Sequence, residues 1–100
     1  MTDKYIVAFS PEAEDQLAAL YQYIAAAGST DTALDYTQKI IEACESLVVF
    51  PDRGTPRDDI RAGLRLSHYR GRVIIAYAVF GTTVNILGVF YGGQDYESLL

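Results

Sequence analysis

The sequence has few of the residues that crosslink or interrupt small domains. Its single cysteine, Cys44, has no partner for an internal disulfide, and no cysteine and histidine cluster has the spacing of a zinc site. We therefore predict no disulfide framework, no metal and no cofactor. Eight glycines and three prolines in 100 residues also exclude collagen-like and low-complexity classes.

Long apolar runs are absent as well. The longest extends from Val73 to Phe80, far short of the ~20 residues of a membrane span. The start, Met1-Thr2-Asp3-Lys4, is polar and lacks the apolar stretch of a signal peptide. Because half of the residues are apolar, we expect a single domain over residues 1–100, in the reducing cytoplasm and with no membrane partner.

Positive charge is scarce outside one segment. Residues 53–72 contain all six arginines and carry +4, whereas residues 1–52 carry −7 and residues 73–100 carry −2, which gives the total of −5. The acidic total argues against a broad electrostatic contact with nucleic acid. The arginines of the middle segment either bind carboxylates or phosphates, neutralise the acidic helices before them, or lie in a solvated loop.

The first half of the chain predicts a strand and then a helix. Tyr5–Phe9 is a short aromatic and β-branched run, typical of a strand. Ser10 as N-cap and Pro11 at the first helical position begin a helix over residues 11–27, which Gly28 ends.

A second helix follows after a short connection. Ser29-Thr30-Asp31 supplies its cap, and an apolar stripe that includes Cys44 continues to Phe50-Pro51. The two helices form an antiparallel hairpin with a shared apolar seam. Cys44 lies in this seam without a nearby histidine, so we interpret it as a core residue and not as a nucleophile.

The second half predicts an antiparallel meander. Residues 51–63 are polar and contain proline and glycine, which indicates a loop with no regular structure beyond a turn. Tight turns at Arg70-Gly71 and Gly81-Thr82 then separate three strands, Leu64–Tyr69, Arg72–Val79 and Val84–Tyr91. The expected fold is α+β in the order β-α-α-β-β-β, with a helical hairpin packed on one face of a small, mainly antiparallel sheet.

The middle strand of the meander is apolar on both faces. Two helices cover only one face of the sheet, so curvature, a short tail or a second protein must shield the other face. The tail after Tyr91 has only nine residues. We therefore expect a partner protein to cover this face in a long-lived complex.

Two stretches of the sequence resemble those of a known protein family. Val7-Ala8-Phe9-Ser10-Pro11-Glu12-Ala13 is similar to the family's opening strand and helix start, and Phe50–Arg65 is similar to its most specific stretch. In the second stretch the pairs Phe-Pro and Arg-Gly and the triplet Gly-Leu-Arg keep the family's spacing. The family is the ParE branch of the RelE/ParE toxins, the toxic halves of bacterial type II toxin–antitoxin operons.

The last strand departs from this family. Gly88 stands where relatives carry a basic residue, Tyr91 replaces a histidine, and Gly93-Gln94 replaces basic residues before Asp95. The carboxyl-terminal end has therefore lost the positive charge that is typical of the family.

The resemblance implies a toxin that is not an enzyme and that binds DNA gyrase, trapping its cleaved-DNA state. It also implies neutralisation by a ParD-like ribbon-helix-helix antitoxin, in a heterotetramer or larger complex, with operator DNA contacted only through the antitoxin. The candidate target contacts are Arg65, Arg72, Tyr91, Gln94 and Asp95. The candidate walls of the antitoxin groove are Leu17, Leu20, Tyr21, Ile24 and Tyr36, although for each residue taken singly core packing is the safer interpretation.

Two alternatives remain at the level of the sequence. RelE-type relatives cut mRNA on the ribosome, which requires cations at the scissile phosphate and an acid/base pair. The residues left for this chemistry are Arg65, His68, Arg72, Tyr91 and Tyr96, and we expect His68 to be a half-buried structural residue. The other alternative is a degenerate, non-toxic member that keeps only antitoxin binding.

Overall fold

The hairpin and the meander form where the sequence predicts them, and the first strand joins the same sheet. The computed structural model describes residues 4–94 and 96–100. The predicted α+β order is confirmed, with a two-residue strand and a four-residue helix in addition. The elements are β1 (Ile6–Phe9), α1 (Pro11–Ala27), α2 (Thr30–Glu45), β2 (Thr55–Pro56), β3 (Arg65–Tyr69), β4 (Val73–Phe80), β5 (Thr83–Tyr91) and α3 (Tyr96–Leu99).

Helix α1 has the predicted bounds because both of its ends are capped. The Ser10 Oγ accepts a hydrogen bond from the backbone N–H of Ala13 at 3.0 Å, and Pro11 occupies the first turn. At the other end the N–H of Gly28 donates to the carbonyl oxygen of Ile24 at 2.9 Å. An N-cap of this kind contributes about 1 kcal/mol, so the start of the helix is sharply defined.

Helix α2 is shorter than its apolar stripe. The Ser29 Oγ accepts from the N–H of Thr32 at 3.1 Å and caps the first turn. The α-helix ends at Glu45 and continues as a 3₁₀ turn over Ser46–Val48. Because Leu47 in this turn is buried, the stripe extends toward the predicted Phe50 although the α-helical geometry stops before it.

The strands form one sheet in the order β1-β5-β4-β3-β2. Strand β1 is parallel to β5, with Ile6 opposite Thr83 and Phe9 opposite Ile86, and all other pairs are antiparallel. The predicted loop 51–63 contains a 3₁₀ turn at Pro51–Arg53 as well as β2. Within the described part of the chain, no helix combines the length and the apolarity needed to cross a membrane.

The main core lies between the helical hairpin and the sheet. Cys44 is fully buried there, and desolvation raises the pKa of its thiol to about 12. The thiol is therefore protonated at neutral pH and acts as a small apolar side chain, as predicted. The buried members of this core are Ala13, Leu20, Ile40, Cys44, Leu47, Val73, Ile75, Tyr77, Val84, Ile86 and Val89.

The opposite face of the sheet is covered by the chain itself, so the expectation that a partner covers it is wrong. The buried residues on this face are Leu64, Leu66, Ala76 and Phe90. The loop residue Ile60 and the tail residues Tyr96 and Leu100 pack against them. A short tail is sufficient because the loop residue Ile60 covers part of the same face.

Candidate interaction surface

The second half of β5 lies at an open edge of the sheet. Strand β1 pairs with β5 only as far as Ile86, after which the chain turns into α1. The pairing of β5 with β4 also skips Leu87, which marks a β-bulge. Side chains of the α1 region bind the backbone at this point: Ser10 Oγ donates to the Leu87 carbonyl oxygen at 3.1 Å, and Gln16 Oε1 accepts from the Val89 N–H at 2.7 Å.

The turn after β5 folds back on the same edge. Gly92 and Gly93 both have a positive φ, of 66° and 85°, which residues with a Cβ rarely adopt. This turn brings the Oε1 of Gln94 to 2.8 Å from the backbone N–H of Tyr91, from which it accepts a hydrogen bond. Glutamine side chains thus satisfy two N–H groups that a further strand would otherwise bind.

A cavity of about 350 Å³ opens between α1 and this edge. Its walls combine apolar side chains with the amides of Gln16 and Gln94, and none of the lining residues carries a formal charge. The lining residues are Gln16, Ala19, Leu20, Tyr23, Val89, Tyr91, Gly92 and Gln94. The volume lies at the lower end of the ~300–1,000 Å³ that is usual for ligand pockets.

Four tyrosines meet beside the cavity, one each from α1, α2, β3 and β5. We call Tyr23, Tyr36, Tyr69 and Tyr91 the tyrosine cluster. The ring centroid of Tyr91 lies 6.4 Å from that of Tyr23 and 6.1 Å from that of Tyr36, and Tyr36 is 6.5 Å from Tyr69. The Tyr36–Tyr91 pair is perpendicular, at 90°, the edge-to-face geometry that aromatic rings prefer. The cluster brings together helices and strands that are distant in sequence.

Two arginines border the tyrosine cluster. The guanidinium carbon of Arg70 lies 5.5 Å from the centroid of the Tyr69 ring, within the range of a cation–π contact. Arg72 is exposed, and its carbonyl oxygen accepts from the N–H of Gly92 at 3.0 Å. Burial and the neighbouring tyrosines raise the pKa of Tyr36, and the charges of Arg72 and Arg70 oppose this shift. Both cations therefore lie within electrostatic range of the cluster.

The structure brings together three of the five predicted target contacts. Arg72, Tyr91 and Gln94 lie at the same end of the sheet, around the cavity mouth. Arg65 lies elsewhere: its Nη1 donates to the carbonyl oxygens of Asp52 and Gly54, each at 2.7 Å. These two hydrogen bonds connect the 51–54 segment to β3. Asp95, the fifth predicted contact, lies outside the described residues.

The predicted antitoxin-groove residues divide between the core and the surface. Leu20 and Tyr36 contribute to the cavity and to the tyrosine cluster, respectively. Leu17 and Ile24 are partly buried and pack against the main core, and Tyr21 is half-buried on α1. Leu17 also lines a second opening of about 280 Å³, together with Phe9, Glu14 and Ile41.

The residues considered for RNA cleavage lie on both faces of the sheet. His68 is exposed, so the expectation of a half-buried histidine is wrong. It is paired with Ile74 of the tail-covered face, whereas Tyr91 packs against the helix-side core. The Tyr96 hydroxyl accepts from Arg57, whose guanidinium also pairs with Asp59 and Glu97.

No metal-binding group emerges from residues 4–94 and 96–100, where no three His, Cys, Asp or Glu side chains come together.

The sequence indicated some of this surface but not all of it. Tyr23, Tyr69 and Arg70 were not among the predicted site residues. The strand register of the meander would have indicated Tyr69, because Tyr69 of β3 and Tyr91 of β5 both lie opposite Val73 of β4. A strand alignment of the meander would have placed these two rings at the same level.

Comparison with known proteins places the fold among toxins. Residues 7–96 match the family model described as the ParE toxin of the type II toxin–antitoxin system parDE. A structure of the chromosomal ParDE system from P. aeruginosa is similar, with a TM-score of 0.76 and 21% identity over 89% of this chain and 97% of that one. The toxin–antitoxin complex RelBE2 from Mycobacterium tuberculosis has a TM-score of 0.64 and 28% identity, over 89% of this chain and 99% of that one. Among curated proteins, none matches significantly.

Proposed function

The chain belongs to the ParE toxin family of type II toxin–antitoxin systems, and on this basis we propose that it arrests bacterial growth by binding DNA gyrase. In this proposal the toxin traps the cleaved-DNA state of gyrase and performs no chemical step of its own. A cognate antitoxin of the ribbon-helix-helix type neutralises it by direct binding.

The observation that carries the proposal is the tyrosine cluster with Arg72 and Gln94 at the cavity mouth. Tyrosine and arginine are the residues most enriched among the dominant contacts of protein interfaces. Here Tyr23 is 63% exposed, and Arg72 forms no ion pair within the described residues. Such a surface supports binding to a large protein target and requires no catalytic group.

An antitoxin partner is supported by the cavity beside the edge of β5, where Gln16 and Gln94 already bind the N–H groups of Val89 and Tyr91. Leu20 and Val89 give the cavity apolar walls, into which a partner helix or strand can insert an apolar anchor. Both similar solved structures are of toxin–antitoxin systems. Operator DNA enters the proposal only through the antitoxin.

The second candidate is ribosome-dependent mRNA cleavage, which is favoured by the 28% identity to a chain of the RelBE2 complex. It fits the side chains less well. Arg57 and Arg65 are held by Asp59 and by backbone carbonyl oxygens, and Tyr91 lies on the other face of the sheet from His68. Within the described residues, the candidate groups Arg65, His68 and Tyr91 therefore do not converge on one phosphate.

Three measurements distinguish the candidates. Induced expression of the chain in a bacterial host should stop growth, and co-expression of the cognate antitoxin should restore it. The purified chain should block gyrase supercoiling and accumulate cleaved DNA, while ribosome-bound mRNA remains intact. Cleaved mRNA with normal supercoiling would establish the second candidate, and undisturbed growth would identify a non-toxic member that only binds the antitoxin.

Variants provide the matched control. Arg72→Ala should reduce gyrase inhibition at least tenfold, whereas Arg61→Ala should leave it within twofold. Both residues are exposed arginines, but Arg61 lies in the 57–63 loop and not beside the tyrosine cluster. Equal inhibition by the two variants would remove Arg72 from the target surface.

A further inference from the structure

We propose that the cavity, the tyrosine cluster and the pair Arg70 and Arg72 form one docking site for an acidic segment of the antitoxin. An apolar side chain of that segment fills the cavity, and carboxylates next to it in sequence pair with the two arginines. The inference rests on the proposed antitoxin binding and adds the chemistry by which the antitoxin is recognised.

The three parts of the site are continuous. Tyr23 and Tyr91 line the cavity and also belong to the tyrosine cluster. Gly92 lines the cavity as well, and its N–H donates to the carbonyl oxygen of Arg72 at 3.0 Å. An extended peptide advances about 3.3 Å per residue, so a segment of a few residues is long enough to reach from the cavity to the arginines.

The charges define what the partner must carry. Arg57 and Arg65 already have acidic neighbours, Asp59 and Asp52 respectively. By contrast, neither Arg70 nor Arg72 forms an ion pair with any of the residues that the structure describes. A guanidinium binds a carboxylate through two parallel hydrogen bonds, so two unpaired arginines beside an uncharged cavity fit an apolar residue flanked by Asp or Glu.

The same features favour a protein segment over a nucleic acid. A nucleic-acid surface gains its affinity from several cations along the phosphates, whereas this site offers two in a chain of net charge −5. The cavity walls at Leu20 and Val89 are apolar side chains suited to an aliphatic or aromatic anchor. The lining tyrosines Tyr23 and Tyr91 also carry hydroxyl groups, with which tyrosines of binding surfaces can form hydrogen bonds.

The experiment measures the affinity of the full chain for its cognate antitoxin, with charge reversals on the toxin. Arg70→Glu and Arg72→Glu should each weaken binding at least tenfold, and the loss should shrink in high salt. Arg61→Glu makes the same change of charge at an exposed arginine away from the site and should stay within twofold. A loss for Arg61→Glu equal to that for Arg72→Glu would overturn the proposal, because only the net charge would then matter.

A second pair of variants tests the cavity and the aromatic rim. Tyr23→Ala should weaken binding at least tenfold, and Phe80→Ala, which removes an aromatic ring that is 70% exposed elsewhere on the surface, should stay within twofold. Because both rings are exposed, the two variants should unfold at the temperature of the parent chain. Unchanged antitoxin affinity in Tyr23→Ala would also overturn the proposal.

The remaining outcomes are separable. If the unmodified chain does not bind the antitoxin, the proposed function fails and this inference fails with it. If it binds but the three site variants, Arg70→Glu, Arg72→Glu and Tyr23→Ala, bind as well as the unmodified chain, the docking site alone is refuted. If a single-stranded dT oligonucleotide binds the chain and is lost in Arg72→Glu while antitoxin affinity is unchanged, the surface recognises nucleic acid and the proposal is wrong.

Discussion

The hydroxyl of Tyr77 accepts a hydrogen bond from the backbone N–H of Gly54 at 2.9 Å and donates one to the carbonyl oxygen of Pro51 at 2.8 Å. Tyr77 is fully buried in the middle of β4, so these bonds anchor the loop after α2 to the core. A Cβ on residue 54 would collide with the Tyr77 hydroxyl. Glycine at this position is therefore required by the close approach of the ring.

Replacing Tyr77 by phenylalanine should destabilise the fold by about 1–3 kcal/mol, because the buried N–H of Gly54 loses its partner. Denaturant unfolding measures the loss. The control is Tyr21→Phe, since the Tyr21 hydroxyl makes no hydrogen bond within the described residues, and its effect should stay within about 0.5 kcal/mol. Equal stability of the two variants would contradict the anchoring role.

Arg65→Ala and Arg72→Ala should differ in their effect on the stability of the fold. Arg65→Ala removes two hydrogen bonds to the carbonyl oxygens of Asp52 and Gly54 and should cost about 1–3 kcal/mol of unfolding free energy. Arg72→Ala removes an exposed side chain and should change stability by less than about 0.5 kcal/mol. Thermal unfolding of both variants tests this, and a stable Arg65→Ala would restore Arg65 as a surface contact.

Gly88→Ala should destabilise the tail-covered face of the sheet. A Cβ at this position lies 2.7 Å from two ring carbons of Phe90, so the ring must move, at a cost of about 1–3 kcal/mol. The double variant Gly88→Ala with Phe90→Leu should lose less than the sum of the single changes. Gly28→Ala is the control, because its Cβ would meet only the Ile24 carbonyl oxygen at 3.5 Å.

Cys44 should make stability fall as the pH rises above about 9. Burial raises its pKa from 9.0 to about 12, so the unfolded chain loses the thiol proton first and the native state weakens between these values. In this pH range the free energy of unfolding should fall by roughly 1 kcal/mol per pH unit. Cys44→Ala should remove this slope between pH 9 and 10 in denaturant unfolding, although its own stability is lower because a buried atom is lost.

Alkylation gives an independent check on Cys44. Iodoacetamide should react with the native chain at neutral pH far more slowly than with the chain unfolded in denaturant, since only the thiolate is a nucleophile. Similar rates in both states would contradict the burial of this side chain.

The sequence predicted best what is decided within a few residues. Ser10, Pro11 and Gly28 act on their own helix, and α1 has the predicted bounds. The meander strands follow from turns at Gly71 and Gly81, which both have a positive φ. Local capping and turn geometry need no knowledge of the rest of the chain.

Long-range packing was beyond local patterns. The cover on the second face depends on where the tail returns, and Tyr96 reaches Phe90 at a ring distance of 6.1 Å only after the turn at Gly92 and Gly93. The sequence predicts Arg65 as a target contact because nothing in it places this residue beside Asp52, thirteen residues earlier. The departures from the family at positions 88 and 91 have structural reasons, since Gly88 leaves space for the ring of Phe90 and Tyr91 joins the tyrosine cluster.

The parallel pairing of β1 with β5 has a consequence for the time course of synthesis. Ile6 is paired with Thr83, and at about 5–20 residues per second the ribosome needs roughly 4–15 s to make the intervening chain. The α1–α2 hairpin relies on local contacts and precedes the sheet on which it packs. The open edge of β5, with its cavity, therefore exists only once Tyr91 has been synthesised, and a shorter nascent chain cannot yet offer that surface to any partner.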